Sequence, residues 1–314
     1  MHWLALSGGA DSVALLHLLH QLPDESRPPL SVVHVHHGLS EDANGWLLFC
    51  QQVAGKLGIP FHSIRLDYDH SERRRLGVEG WARMARYAAI ADLIGVDEVV
   101  HCAQHQSDQA ETLILALMRG AGSDGQASMP ILRKLGSGWL CRPLLDFTRA
   151  DLQEFALQEQ GEWIEDPSNN DKSFDRNFIR SEVLPVMTER WPSANRSLAR
   201  AASLAGEASD ASQWFARRML DELLIRGECL IVEGPSRSQP SSIAMSAFAD
   251  LPIPVRNQLL RQWVVDSGVA TLPHAKMAEI DKSVLPARSD KNPFLTWGDG
   301  VYLGRFSNRL WLFN

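Results

Sequence analysis

Residues Ser7-Gly8-Gly9-Ala10-Asp11-Ser12 constrain this chain more than any other stretch. A short apolar run, Trp3-Leu4-Ala5-Leu6, leads straight into them, and a helical pattern with Val13, Leu15, Leu16, Leu18 and Leu19 apolar follows. Strand, glycine turn and helix N-terminus in immediate succession aim backbone N–H groups and the positive helix end at an anion. Ser7, Gly8, Gly9, Ala10, Asp11 and Ser12 are therefore candidate phosphate-binding residues. The glycines let the main chain come close, and the two hydroxyls add donors. The stretch lacks the GK[ST] ending of a Walker A motif, so no lysine reaches the β and γ phosphates. Such a loop would hold the pyrophosphate end of ATP and leave the α phosphate open to attack. The competing reading is an ordinary glycine turn of an α/β protein.

The first half alternates strands and helices. Strands are expected at 3–6, Leu30–Val35, Phe61–Leu66 and Glu98–Cys102, and helices at 43–57, 79–94 and Asp108–Met118. That order predicts a doubly wound, mainly parallel α/β sheet, with ligands at the carboxyl ends of the strands. Ser7, His36 and the Gln104–Asp108 region lie at those ends and should converge. After Arg142-Pro143-Leu144-Leu145 the alternation stops. Residues 149–160 read as helix, 166–178 as a polar loop and 179–225 as largely helical with interruptions at Pro185 and Pro192. Residues 233–242 read as a loop, 254–267 and 274–285 as helix, and the end as a β-hairpin turning at Ser307-Asn308. The expected organisation is a catalytic domain over 1–205 and a smaller, mixed α/β domain over 206–314.

Across 314 residues, 45% are hydrophobic and 22% charged, ordinary for a soluble globular protein. No apolar run is long enough for a membrane span and no signal peptide is visible, so a cytoplasmic protein is expected. Cys50, Cys102, Cys141 and Cys229 are far apart and form no CxxC pair, which argues against zinc-ribbon and iron–sulfur sites. The net charge of −7 disfavours a generic nucleic-acid binder, but arginines cluster locally, including Arg83, Arg86, Arg176 and Arg180.

Asp11, beside a phosphate cradle, suits Mg²⁺ held by one carboxylate and phosphate oxygens. Its structural alternative is a first-turn charge on the helix dipole. Asp108 and Glu111 share a helix face, either as a capping box begun by Asp108 or as a carboxylate pair for a cationic substrate. Arg83 and Arg86, three apart on a helix, could steady charge at a phosphoryl centre. The histidines at 34, 36 and 37 lack metal-ligand spacing. Arg119-Gly120-Ala121-Gly122-Ser123-Asp124-Gly125 reads as a helix C-cap followed by a mobile segment.

Together these residues resemble the tRNA(Ile)-lysidine synthetase family of PP-loop ATPases. Ser7–Ser12 matches its SGGxDS signature, and Val35-His36-His37-Gly38-Leu39-Ser40 resembles its VNHGLR stretch. Residues 79–87 look like its alanine- and arginine-rich helix ending in Arg86-Tyr87. Residues 104–112, Gln-His-Gln-Ser-Asp-Gln-Ala-Glu-Thr, are similar to its HHxDDQAET segment. Arg119–Gly125 matches RGxGxxG, Arg142–Leu145 matches RPLL, and Glu165–Asn169 with Arg176-Asn177 and Arg180 resembles EDPSN…RN…R. The likeness spans about 4–205 and is weaker beyond, around Arg256–Trp263 and the closing hairpin.

The resemblance implies ATP-dependent ligation of L-lysine to C2 of the wobble cytidine in the CAU anticodon of tRNA(Ile), through an adenylated cytidine, with release of pyrophosphate and AMP. It assigns ATP to Ser7, Gly8, Gly9, Ala10, Asp11, Ser12 and His36, Mg²⁺ to Asp11, and lysine to Asp108 and Glu111. It assigns catalysis to Asp11 with Arg83 and Arg86, tRNA or phosphate contacts to Arg119, Arg176 and Arg180, and tRNA binding to residues 206–314. A homodimer stays open. Ser107 replaces the first Asp of the Asp-Asp pair, His36 an Asn, and Ser40 an Arg. The chain begins almost at the first strand, where relatives carry a leader, and reads as the short two-domain form. The rival readings are base thiolation by another PP-loop tRNA enzyme, a small-molecule ligase or amidotransferase, and an RNA-binding protein without activity. Thiolation enzymes typically need paired cysteines, which the sequence does not show.

Overall fold

The computed structural model describes residues 1–23, 25–67, 70–159, 161–226, 241–269, 272–286, 291–298 and 301–313. They divide into two compact units, Met1–Gly206 and Glu207–Asn314, with the boundary inside one long helix.

The first unit runs β1 (His2–Ala5), α1 (Ala10–His20), β2 (Leu30–His36), α2 (Ala43–Lys56), β3 (Phe61–Arg65), α3 (His70–Leu93), β4 (Val99–His101), α4 (Gln106–Met118) and α5 (Ser123–Gln126). There follow β5 (Leu132–Leu135), β6 (Gly138–Cys141), α6 (Arg149–Gln158), α7 (Asp175–Phe178), α8 (Leu184–Arg190) and α9 (Ala194–Leu223). The sheet order is β3-β2-β1-β4-β6-β5, parallel except for the antiparallel edge strand β5. Strand β1 pairs with both β2 and β4 (His2 opposite Leu30 and Val99), so the order reverses beside it. That reversal is the switch point at which such sheets bind ligands.

Alternation along β1 feeds two cores. Leu4 and Leu6 pack with Val13 and Leu16 of α1, Cys50 and Val53 of α2 and Leu152 of α6. Trp3 points the other way and packs with Val33, Val100, Leu140, Ile90 of α3 and Ile94 just past its end. Both faces being covered, the parallel strands read as unbroken apolar runs.

Several local expectations are corrected. The helix expected over 79–94 begins at His70, and Gly77, at φ 74° and ψ 169°, breaks it into two helices. Sequence reading left 132–141 unassigned, yet β5 and β6 form a hairpin there that extends the sheet. The loop expected over 166–178 contains a 3₁₀ turn, Pro167–Asn170, capped by Asp166, and the helical turn α7. Pro185 does not interrupt: it lies in the first turn of α8, where its missing N–H costs nothing.

The second unit holds β7 (Leu224–Arg226), β8 (Ser241–Ala244), α10 (Met245–Ala249), α11 (Ile253–Asp266), α12 (His274–Glu279), β9 (Phe294–Trp297), β10 (Val301–Phe306) and β11 (Arg309–Phe313). Its sheet, β7-β8-β11-β10-β9, is antiparallel and encloses Trp263, Phe248, Ile243, Leu303 and Leu310. The closing hairpin turns at Ser307 and Asn308, at φ 47° and 59°, the left-handed pair of a type I′ turn. Of the loop expected over 233–242, residues 233–240 lie outside the described residues and Ser241-Ser242 open β8. Among the described residues no helix is long and apolar enough to cross a membrane.

Candidate functional site

The turn after β1 is held open from below. Gly8 adopts φ +90°, and a Cβ there would meet Ile164 Cδ1 at 2.9 Å and Cys50 Sγ at 3.3 Å. The Ile164 amide donates to the Gly8 carbonyl at 2.8 Å, fixing the loop from a distant segment. Gly9 is the N-cap of α1, and no side chain caps this end. Ser7 Oγ and Ser12 Oγ lie 3.0 Å apart, and Ser12 Oγ donates to the Gly9 carbonyl at 2.9 Å. Backbone amides and hydroxyls are thus gathered where an anion would sit.

Asp11, in the first turn of α1, reaches His105 Nε2 at 3.6 Å, while its Oδ1 is buried with no partner. His105, 3% exposed, is the N-cap of α4. Its Nδ1 accepts from the Ser107 amide at 3.2 Å, and the His105 amide donates to Asp108 Oδ2 at 3.0 Å. Asp108 is thus the third helical residue of a capping box begun by His105, not the cap itself. Burial alone would push the His105 imidazole down. Contact with Asp11 and the charge of Asp108 outweigh it and hold it above its ordinary value.

Asp108 and Glu111 face the same way, and Arg176 of α7 and Arg180 of the following π-type turn lie against them. Arg176 Nε donates to Glu111 Oε2 at 2.7 Å and its Nη2 to Asp108 Oδ1 at 3.2 Å. Arg180 Nε donates to Glu111 Oε1 at 2.7 Å and its Nη2 lies 3.3 Å from Asp108 Oδ1. Glu111 is fully buried, so the two guanidiniums supply the counter-charge it needs. Burial raises the Asp108 carboxyl, but His105 and Arg176 outweigh that and leave it lowered. A chain of contacts therefore runs from the glycine turn through Asp11, His105 and Asp108 to Arg176 and Arg180 and, through them, to Glu111.

Of the residues singled out by sequence, the fold brings Asp11, Asp108, Glu111, Arg176 and Arg180 together. His36 ends β2, buried, its Nε2 without a partner. Arg83 and Arg86 flank the Tyr87 ring, 5.2 and 5.3 Å from its centroid. Arg119 is exposed at the C-cap of α4, outside the ionic cluster. Sequence reading placed the Gln104–Asp108 region at the strand ends but gave no role to His105 or to Gln104, whose Oε1 is buried and unpartnered, and it passed over Ile164. It also did not foresee that Arg176 and Arg180 would pair with the two carboxylates.

Two family models match the chain: a PP-loop domain over residues 2–187 and a TilS substrate binding domain over 244–311. The chain is 38% identical to the tRNA(Ile)-lysidine synthase of Actinobacillus pleuropneumoniae over 98% of its own length and 69% of that protein. It is 39% identical to the tRNA(Ile)-lysidine synthase of Pseudomonas fluorescens over 99% of its own length and 68% of that protein. Among solved structures, the U34-tRNA thiolase NcsA from Methanococcus maripaludis is similar in fold. It has a TM-score of 0.50 at 15% identity, covering 74% of this chain and 76% of that one. The PP-loop architecture around Ser7–Ser12 and the relatives at this level of identity show that the chain belongs to the tRNA(Ile)-lysidine synthase family.

Proposed function

We infer that this chain ligates L-lysine to C2 of the wobble cytidine in the CAU anticodon of tRNA(Ile). The observation that carries the reading is the contact chain from the phosphate turn to the acidic pair, Asp11 to His105 at 3.6 Å and His105 to Asp108 at 3.6 Å. It supports one site for both half-reactions.

In the first, the C2 oxygen of the cytidine attacks the α-phosphorus of ATP. The bond to the bridging oxygen breaks, and pyrophosphate leaves onto the amides and hydroxyls of Ser7–Ser12. Arg83 or Arg86 steadies the charge that develops. In the second, the amine of lysine, once deprotonated, attacks C2, and the C2–O bond breaks with AMP as leaving group. Asp108, Glu111, Arg176 and Arg180 carry charges of both signs. Such a group suits the zwitterionic head of an amino acid, with ammonium at the carboxylates and carboxylate at the guanidiniums, and leaves the side-chain amine free to react. That refines the expectation of a purely cationic ligand.

The unpartnered Oδ1 of Asp11 fits Mg²⁺, and among the described residues no group of three or more His, Cys, Asp or Glu side chains is arranged to hold a metal ion by protein ligands alone. The ion would be held by Asp11 and phosphate oxygens and would neutralise phosphate charge. The second unit would hold the tRNA body, and the reaction would run in the cytoplasm, where tRNA and ATP meet. Pyrophosphate release tests the first half-reaction. It should require tRNA(Ile), proceed without lysine, and vanish in Asp11→Ala; release at an equal rate without tRNA contradicts the reading.

A further inference from the structure

A second group of guanidiniums lies outside the ionic cluster at Asp108 and Glu111. Arg83 and Arg86 of α3 and Arg133 of β5 stand over the ring of Tyr87, at 5.2, 5.3 and 4.8 Å from its centroid. Arg142, just past the end of β6, is 2% exposed, and its electrostatic effect reaches Arg83, Tyr87 and Cys102. One of its nitrogens donates to the Pro130 carbonyl at 2.8 Å, while its Nε is buried with no partner. The Tyr87 hydroxyl is likewise buried and unpartnered. Among the described residues no carboxylate lies within ion-pair distance of these four arginines. Clustered guanidiniums repel, and burial makes that costly unless an anion completes the group.

We propose that Arg133, Arg142 and the Tyr87 hydroxyl, with whichever of Arg83 and Arg86 does not serve the α-phosphorus, form a cradle for a backbone phosphate of the tRNA substrate. The proposal rests on the functional reading above and adds to it Arg133, Arg142 and Tyr87. Position separates this cradle from the ATP-phosphate turn. The turn leads into α1 on one sheet face, whereas Tyr87 packs in the core beneath α3 on the other. Arg133 sits on β5, three strands from β1, roughly 14 Å at the usual spacing. Arg83 also feels the charge of Arg176, so the cradle adjoins the acidic pair. A polynucleotide whose target base reaches C2 chemistry at the switch point brings a phosphodiester on either side of that base. Planar guanidiniums match phosphate oxygens in paired geometry, and a phenol adds a donor.

The test is equilibrium binding of an unmodified tRNA(Ile) transcript to the full chain, without ATP or lysine, across a salt series. Arg142 is tied into the fold, so the variants are Arg133→Gln and Tyr87→Phe. Arg133→Gln should weaken tRNA binding about fivefold and reduce the slope of log affinity against log salt by about one, the signature of one lost phosphate contact. Direct ATP binding should not change. Tyr87→Phe removes a hydroxyl with no internal partner, so the thermal midpoint should hold while tRNA binding weakens about threefold. Wild-type affinity and slope in both variants would overturn the proposal. So would a loss of ATP binding in Arg133→Gln equal to its loss of tRNA binding, which would make the cradle a nucleotide site. If the parent chain binds tRNA with these effects but transfers no lysine, the functional reading fails and the phosphate cradle stands.

Discussion

Glu111 has no exposed surface, and two guanidiniums grip its carboxylate from either side at 2.7 Å. Removing either sign would strand the other in a dry site, at a cost of several kcal/mol. Asp108 is the gentler probe, because Asp108→Asn keeps shape and one acceptor. That variant should raise the KM for lysine at least tenfold and the KM for ATP less than twofold. Equal changes in both would remove the lysine role. A different residue contributes to acid sensitivity. His101 is 8% exposed, its Nδ1 is buried and unpartnered, and burial, aided by His2, pushes its imidazole down to about 4. Between pH 6.5 and about 4 the unfolded chain takes up a proton there that the folded chain refuses. Stability should therefore fall as pH drops through that window, by up to about 3 kcal/mol for this group. Urea midpoints at pH 7 and pH 5 should differ more for the parent chain than for His101→Gln; an identical pH dependence would refute the assignment.

At the scale of elements, the glycine turn depends on the segment that underlies it. Gly8→Ala would force a side chain into φ +90° and bring its Cβ to 2.9 Å from Ile164. The cost should be about 1–3 kcal/mol of stability, together with weaker ATP binding; unaltered ATP binding would show that the turn does not shape the phosphate site. The turn, the strands around it and helix α4 were legible in the sequence because each follows a local rule: an apolar run, a glycine break, a repeat of 3.6. The closing hairpin was legible for the same reason, since Ser307-Asn308 accepts left-handed backbone. What sequence missed is non-local. Strands β5 and β6 are four residues each, and β5 is largely exposed, so no alternation announces them. Arg176 and Arg180 looked like free cations because their carboxylates lie 65 to 72 residues earlier. Segment 166–178 reads as loop by composition, and only the Asp166 cap and the fixed angle of Pro167 turn part of it into a helix turn.

Across the whole molecule, two compact units are built on two sheets, and the proposed function divides chemistry and tRNA binding between them. Phe248 is fully buried in the second unit. Phe248→Ala should cost about 3–5 kcal/mol in that unit. It should weaken tRNA binding while ATP binding by the first unit persists; parallel loss of both would contradict the division. Lysine transfer itself is read most plainly by incorporation of labelled lysine into an unmodified isoleucine tRNA transcript with a CAU anticodon, with and without ATP, beside a methionine tRNA of the same anticodon. ATP-dependent label on the isoleucine tRNA alone is the expected result. Pyrophosphate release with tRNA but no label would contradict lysidine formation, leaving adenylation in place and lysine as the wrong nucleophile.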